Sequence, residues 1–118
     1  IACRKGIALD QAFLCLNEAN TLMSEHGEAF ARLMACGRFR RFSYDCYPYA
    51  QLASGQVDAV IDCNLQPYDY LPVAPVVEGA GGIITDWQGR ALTLESDGRV
   101  VASASAELHE ELLKRLEG

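Results

Sequence analysis

Segments that read as short β-strands alternate with segments that read as helices, and that order restricts the fold more than any other feature. Part of residues 12–22, an apolar run, forms a strand. Residues 25–36 set Ala29, Phe30, Leu33 and Met34 at helical spacing and stop at Gly37. Residues 38–43 form a short strand. Asp45 caps a helix that runs to Ser54, with Pro48 in its first turn and Gly55 as its stop. Over residues 57–63, Val57, Ala59 and Ile61 share one face of a strand. A loop over 64–67 leads to Asp69, which opens a helix ending at Gly81-Gly82. Pro72 fits the first turn of that helix and Pro75 distorts it. Residues 83–87, 91–94 and 99–103 are strands, with a tight turn at Gln88-Gly89 and Asp97-Gly98 before the last strand. Residues 106–116 form an amphipathic helix with Leu108, Leu112, Leu113 and Leu116 inward. The expected fold is α/β, a mixed β-sheet flanked by helices.

The 118 residues contain no repeat, low-complexity stretch or linker, so residues 1–118 are read as one domain. A globule of this size buries roughly two-thirds of the surface of its extended chain, enough for a core without staples. No apolar run approaches the roughly 18 residues needed to span a bilayer, which excludes a membrane helix. The chain opens on Ile1, with no basic segment ahead of an apolar one. That reads as a processed or truncated piece without a signal peptide.

Charge is unevenly distributed. Residues 1–41 carry six basic and four acidic side chains, whereas residues 42–118 carry four and twelve. An acidic chain whose one basic cluster is Arg38, Arg40 and Arg41 is a poor nucleic-acid binder. Its acidic part suits a cation, or a substrate bearing hydroxyls or an amine. Cysteines stand at 3, 15, 36, 46 and 63, an odd number without a C-x-x-C pair. That argues against a disulfide scaffold and a structural zinc site, and for small buried hydrophobes in a reducing cytoplasm. His26 and His109 lie in charged helical segments and read as solvated surface histidines.

Asp45, Asp62 and Asp69 mark the edges of predicted elements. Asp45 precedes a helix, Asp62 ends a strand, and Asp69 opens the next helix. Ligand sites in open α/β sheets gather where strands end and helices begin. Helix N-termini there favour phosphate, and a carboxylate beside bound phosphate needs a hard cation such as Mg²⁺ between them. The simpler role for each aspartate is a helix cap, and the two roles are compatible. Gly79-Ala80-Gly81-Gly82 follows a helix and precedes a strand, the reverse of a dinucleotide loop, so it ends the helix and turns tightly into Ile83. Tyr44, Tyr47, Tyr49, Tyr68 and Tyr70 surround the aspartates, either packed with their hydroxyls at the surface or as the wall of a site for a small polar substrate.

Pro67-Tyr68-Asp69-Tyr70, then Val76-Val77-Glu78-Gly79-Ala80-Gly81-Gly82, then Thr85-Asp86-Trp87 and Gly89 resemble the C-terminal motif of the inositol monophosphatase family. That motif runs Trp-Asp, a few small residues, an acid and Ala-Gly-Gly; here Tyr68 stands for the Trp. Arg40-Arg41 through Ala53-Ser54-Gly55-Gln56-Val57-Asp58 resemble the preceding helix and strand. The resemblance is close over 38–103 and looser over 12–37 and 104–118. Asp45-Cys46-Tyr47 with Pro-Tyr-Asp-Tyr downstream is most similar to the bacterial histidinol-phosphate phosphatase branch, although Ser43 stands where the family usually has Gly.

The resemblance implies a fold like the C-terminal domain of that family. It implies that Asp69 helps bind Mg²⁺ beside an attacking water, that Asp62 holds a substrate hydroxyl, and that Ser43, Tyr44 and Asp45 touch the substrate. An amino-alcohol phosphate would bring an ammonium group for Asp45 and Asp62 to hold. The family's other metal ligands, in a Gly-Asp…Glu region and an Asp-Pro-Xaa-Asp-Gly-Thr motif, do not occur in these residues. One aspartate cannot hold two or three Mg²⁺ ions. The chain is therefore expected to be the substrate-side half of a Mg²⁺-dependent phosphomonoesterase, inactive alone. It is expected to expose apolar surface that the missing N-terminal half or a second copy would cover. The competing expectation is a stand-alone, non-catalytic binding or interaction protein derived from that half. Inositol phosphates or other sugar phosphates are the alternative substrates within the family.

Overall fold

The computed structural model describes residues 1–117. Among these residues five strands form one sheet in the order β2-β1-β3-β5-β4. They are β1 (Phe13–Asn17), β2 (Phe39–Ser43), β3 (Ala59–Asp62), β4 (Ile83–Asp86) and β5 (Val100–Ser103). β1 pairs in parallel with β2 and β3, and β5 pairs antiparallel with β3 and β4. The helices are α1 (Ala19–Glu25), α2 (Gly27–Met34), α3 (Tyr47–Ala53), α4 (Pro67–Tyr70), α5 (Val73–Gly79) and α6 (Ala106–Glu117). The sheet is mixed and flanked by helices, as the sequence predicts.

Side-chain alternation along each strand feeds two cores, one on each face of the sheet. Leu14, Leu16, Ala59, Ile61 and Val101 pack with Leu22 of α1, Leu33 of α2, and Leu108, Leu112 and Leu116 of α6. Cys15, Val60, Ile84, Val100 and Ala102 pack with Leu52 of α3, Tyr70 of α4 and Val77 of α5. Each fully buried leucine contributes roughly 2 kcal/mol. β3 is buried on both faces. Val57, predicted to share a face with Ala59 and Ile61, instead joins the opposite core. The strand begins only at Ala59, and Asp58 ahead of it is fixed by Arg4 and by the Phe13 amide.

Several boundaries differ from the sequence expectation. The predicted helix over 25–36 is present as α2, shortened to Gly27–Met34, and α1, which the sequence does not signal, occupies Ala19–Glu25 ahead of it; the two meet at His26, whose backbone leaves the helical region. The predicted helix from Asp69 to Gly81-Gly82 is also two, α4 and α5. Pro72 lies just ahead of α5, and Pro75 lies in its first turn, where a missing N–H costs nothing. Residues 91–94 are not a strand. Thr93 N–H donates to Ser96 Oγ and Ser96 N–H to Thr93 O, a local turn that competes with ladder pairing. His109, read as a surface residue, is buried. Of the cysteines, Cys3, Cys15 and Cys63 are buried, Cys36 is partly so and Cys46 is exposed. The glycine cluster does end a helix tightly: a Cβ on Gly82 would lie 2.8 Å from Ser103 O. Phe39, Phe42 and Met23 are among the large apolar side chains left half-exposed.

Candidate active site

The chain leaves β1 for α1 and α2 on one face and leaves β3 for α4 and α5 on the other. β1 and β3 are adjacent and parallel, so the crevice beyond their carboxyl ends is the switch point at which open α/β sheets bind ligands. A cavity of about 280 Å³ opens there. A larger groove of about 750 Å³ lies at the other end of the sheet, beside Leu9, Gly37 and α6, away from every predicted site residue.

Four of the five predicted residues line the cavity: Tyr44, Asp45, Asp62 and Asp69. Ser43 does not; its hydroxyl lies 3.3 Å from Asp45 Oδ1 and donates to it from behind. Asp45 Oδ1 also accepts the Tyr47 N–H at 3.1 Å, so Asp45 serves the start of α3 from two residues upstream. Asp69 is exposed, and its Oδ2 accepts the Gln66 N–H at 2.8 Å at the start of α4. The capping bond uses one oxygen of Asp69, and its Oδ1 has no hydrogen-bond partner among the described residues, so capping leaves room for a ligand.

Asp62 is 2 % exposed. Its Oδ2 accepts from Asn17 Nδ2 at 2.9 Å and from the Tyr49 hydroxyl at 2.7 Å, and its Oδ1 accepts the Cys63 N–H at 3.0 Å. Burial pushes its pKa up to about 6, against the three donated hydrogen bonds, and Glu18 adds to the rise. The same burial and the adjacent carboxylate push the Tyr49 hydroxyl well up, so it remains a donor.

Asn17, Glu18 and Asn64 also line the cavity and were not singled out from sequence. Asn17 and Glu18 were read inside one apolar run, although a polar pair closing such a run is itself a strand-end signal. Glu18 and Asn64 carry positive φ, 54° and 60°. Each follows closely on a parallel strand, and these sharp exits bring both residues to the cavity. The loop carrying Asn64 and Leu65 is clamped by Gly98, where a Cβ would collide with the Leu65 backbone oxygen. Tyr44, Tyr49 and Tyr68 are cavity residues. Tyr70 instead is buried under the 87–99 loop, donating to Thr93 O.

A magnesium ion would require several hard oxygen ligands. Asp69 is suited to supply one, but among the described residues no three His, Cys, Asp or Glu side chains gather to hold a metal.

Sheet topology and cavity together define a mixed α/β domain with an acidic cavity at its switch point. A model of the inositol monophosphatase family matches residues 8–118. The chain is 38 % identical over 124 residues to a chloroplastic bifunctional phosphatase of Arabidopsis thaliana, covering 99 % of this chain and 36 % of that protein. It is 37 % identical over 59 residues to a histidinol-phosphatase of Chlorobaculum parvum, covering 50 % of this chain and 23 % of that protein. An inositol monophosphatase structure from Zymomonas mobilis superposes with a TM-score of 0.93 at 36 % identity, covering all of this chain and 47 % of that one. The chain belongs to the inositol monophosphatase family. It spans well under two-thirds of the length of these relatives. No helix among the described residues is long and apolar enough to cross a membrane.

Proposed function

We propose that residues 1–118 form the substrate-side, C-terminal half of a Mg²⁺-dependent phosphomonoesterase whose substrate is a small amino-alcohol phosphate of the histidinol-phosphate type. The observation that carries this reading is the convergence of Asp45, Asp62, Asp69 and Glu18 on one cavity at the switch point, with no cationic side chain among its described lining residues. A neutral polyol has no use for so much uncompensated negative charge, whereas an ammonium group does. The cavity is at the small end of ligand sites, which suits one wall of a pocket completed by other residues. Similarity to a histidinol-phosphatase supports the same substrate class.

In this reading Asp45 and Asp62 hold the amino-alcohol, with Tyr44 beside them and Ser43 orienting Asp45. Asp69 contributes one oxygen to Mg²⁺. When bound, the metal would supply a nucleophilic hydroxide and neutralise leaving-group charge. The remaining ligands would come from an N-terminal half or a second copy, which would also cover exposed apolar surface.

The test is phosphate release from histidinol phosphate with Mg²⁺, using the chain alone and the chain combined with a relative's N-terminal half. The expected outcome is no release from the chain alone, release from the combination, and loss of that release with Asp69→Asn. Release by the chain alone that survives Asp69→Asn would sink the reading. Faster hydrolysis of inositol phosphate than of histidinol phosphate by the combination would move the substrate to the polyol class.

A further inference from the structure

Asp62 is the most enclosed of the cavity carboxylates, and its two oxygens are treated differently. A carboxylate oxygen has two acceptor sites. Asn17 and Tyr49 fill both on Oδ2, while the Cys63 N–H fills one on Oδ1. One acceptor site on Oδ1 is left over among the described residues, on a side chain that lines the cavity. A carboxylate with a purely structural role has no reason to keep it.

Asn17 does more than donate to Asp62. Its second amide hydrogen goes to the backbone oxygen of Asp45 at 2.7 Å. Both partners are acceptors, which fixes the orientation of the amide. One buried side chain at the end of β1 thus joins the end of β3 to the loop that carries Asp45. The terminal torsion of an aspartate is broad and twofold, so an unclamped Asp62 would exchange its oxygens freely. With Oδ2 held from β1 and α3, that exchange breaks two hydrogen bonds to a charged acceptor.

We propose that Asn17 and Tyr49 are positioning residues. They lock Asp62 Oδ2 so that Oδ1 presents a single acceptor site to a hydroxyl or ammonium group, and Asn17 sets where Asp45 stands relative to it. The proposal rests on the reading of Asp62 as a substrate contact.

The experiment uses the 118-residue chain with carboxyl-labelled aspartate. The Asp62 carboxyl carbon signal is followed by NMR through pH, and histidinol is then titrated at neutral pH. Tyr49→Phe removes one oxygen, and Asn17→Ser removes the bridge; Glu18 is left intact in both. Each variant is expected to raise the Asp62 titration midpoint, and only Asn17→Ser is expected to shift the amide signals of Asp45 and Tyr47. Histidinol binding is expected to weaken roughly tenfold in each, the size of one lost hydrogen bond to a charged group. A side chain that only supports the fold would lower the melting temperature and leave the midpoint in place, so an unmoved midpoint overturns the proposal. Raised midpoints with unchanged histidinol affinity also overturn it. Should the wild-type chain, as one wall of the pocket, bind no histidinol, the carbon signal decides the proposal alone.

Discussion

Asp62 and His109 are both buried and titratable, and they lie on opposite faces of the same sheet. His109 on α6 has both ring nitrogens engaged, Nδ1 with Ser103 Oγ at 2.9 Å and Nε2 with Thr85 Oγ1 at 2.8 Å. Nothing on the ring is left over, and neither cavity includes it. Asp62 is as well enclosed but keeps one acceptor site open toward a cavity. Burial is common to both; residual hydrogen-bonding capacity is what distinguishes the proposed substrate contact at Asp62 from the closed cluster at His109.

The largest effect that would sharpen the contrast is His109→Ala. It removes a buried ring and orphans the Ser103 hydroxyl, while Thr85 keeps its donation to Asp86 O, so it should cost about 4 kcal/mol of stability. Urea unfolding measures the loss, and the Asp62 carbon signal of the folded fraction should not move. A shifted Asp62 signal would mean that the two clusters communicate through the sheet.

The two sites should also oppose each other in pH. Burial lowers the His109 pKa to about 4. The unfolded chain then binds the extra proton first, so stability is full above the unfolded histidine value and falls as pH drops from about 6.5 toward 4. Asp62 has its pKa raised by burial to about 6, so the folded state keeps a proton that the unfolded chain has lost. Its contribution therefore falls as pH rises from about 4 to 6. Each swing is about 3 kcal/mol, and they nearly cancel in the wild type. In His109→Gln stability should decline from pH 4 to 6, and in Asp62→Asn it should climb. Parallel profiles in the two variants would break the comparison.

A smaller effect separates the groups around Asp62 itself. Tyr49→Phe removes one hydrogen bond to a carboxylate and should cost about 1.5 kcal/mol at pH 7. The cost should shrink below pH 5, where Asp62 is protonated and needs fewer donors. A cost independent of pH would assign Tyr49 to packing alone.

The fold was legible where periodicity and terminators agree. The 106–116 helix, the strand ending at Asp62 and the turn at Gln88-Gly89 depend on local pattern, and the structure keeps them. The 91–94 segment was misread because its alternation suits a strand, while side-chain hydrogen bonds at Thr93 and Ser96 fold it into a turn. Asp45, Asp62 and Asp69 were found because each sits at an element boundary, which the chain order reveals. Asn17 was missed because its role arises only when β1 lies between β2 and β3, and pairing order is not written locally. His109 was misplaced for a related reason: its neighbours Glu107, Glu110 and Glu111 are charged, but its own ring faces Ser103 and Thr85 across the sheet.

The backbone draws the same line between the two sites. Among the described residues the non-glycine positions with positive φ are Glu18 and Asn64, and both border the open cavity. Left-handed backbone costs an ordinary L-residue roughly 1–2 kcal/mol, and asparagine tolerates it better than glutamate. Glycine relieves that strain but costs roughly 0.5–1 kcal/mol through the freedom it gives the unfolded chain. Glu18→Gly should therefore stabilise the chain by about 0.5 kcal/mol, whereas Asn64→Gly should be neutral or cost about as much. The Glu18 N–H donates to Ser43 O at 2.9 Å, and glycine keeps that bond; Glu18→Ala, which removes the same carboxylate without freeing the backbone, is the reference that isolates conformation. Differential unfolding of the two variants measures the contrast. Equal losses in both would mean that the exit from β1 carries no strain. A gain confined to Glu18→Gly would mean that stability is being spent at the cavity to keep a fourth carboxylate facing it.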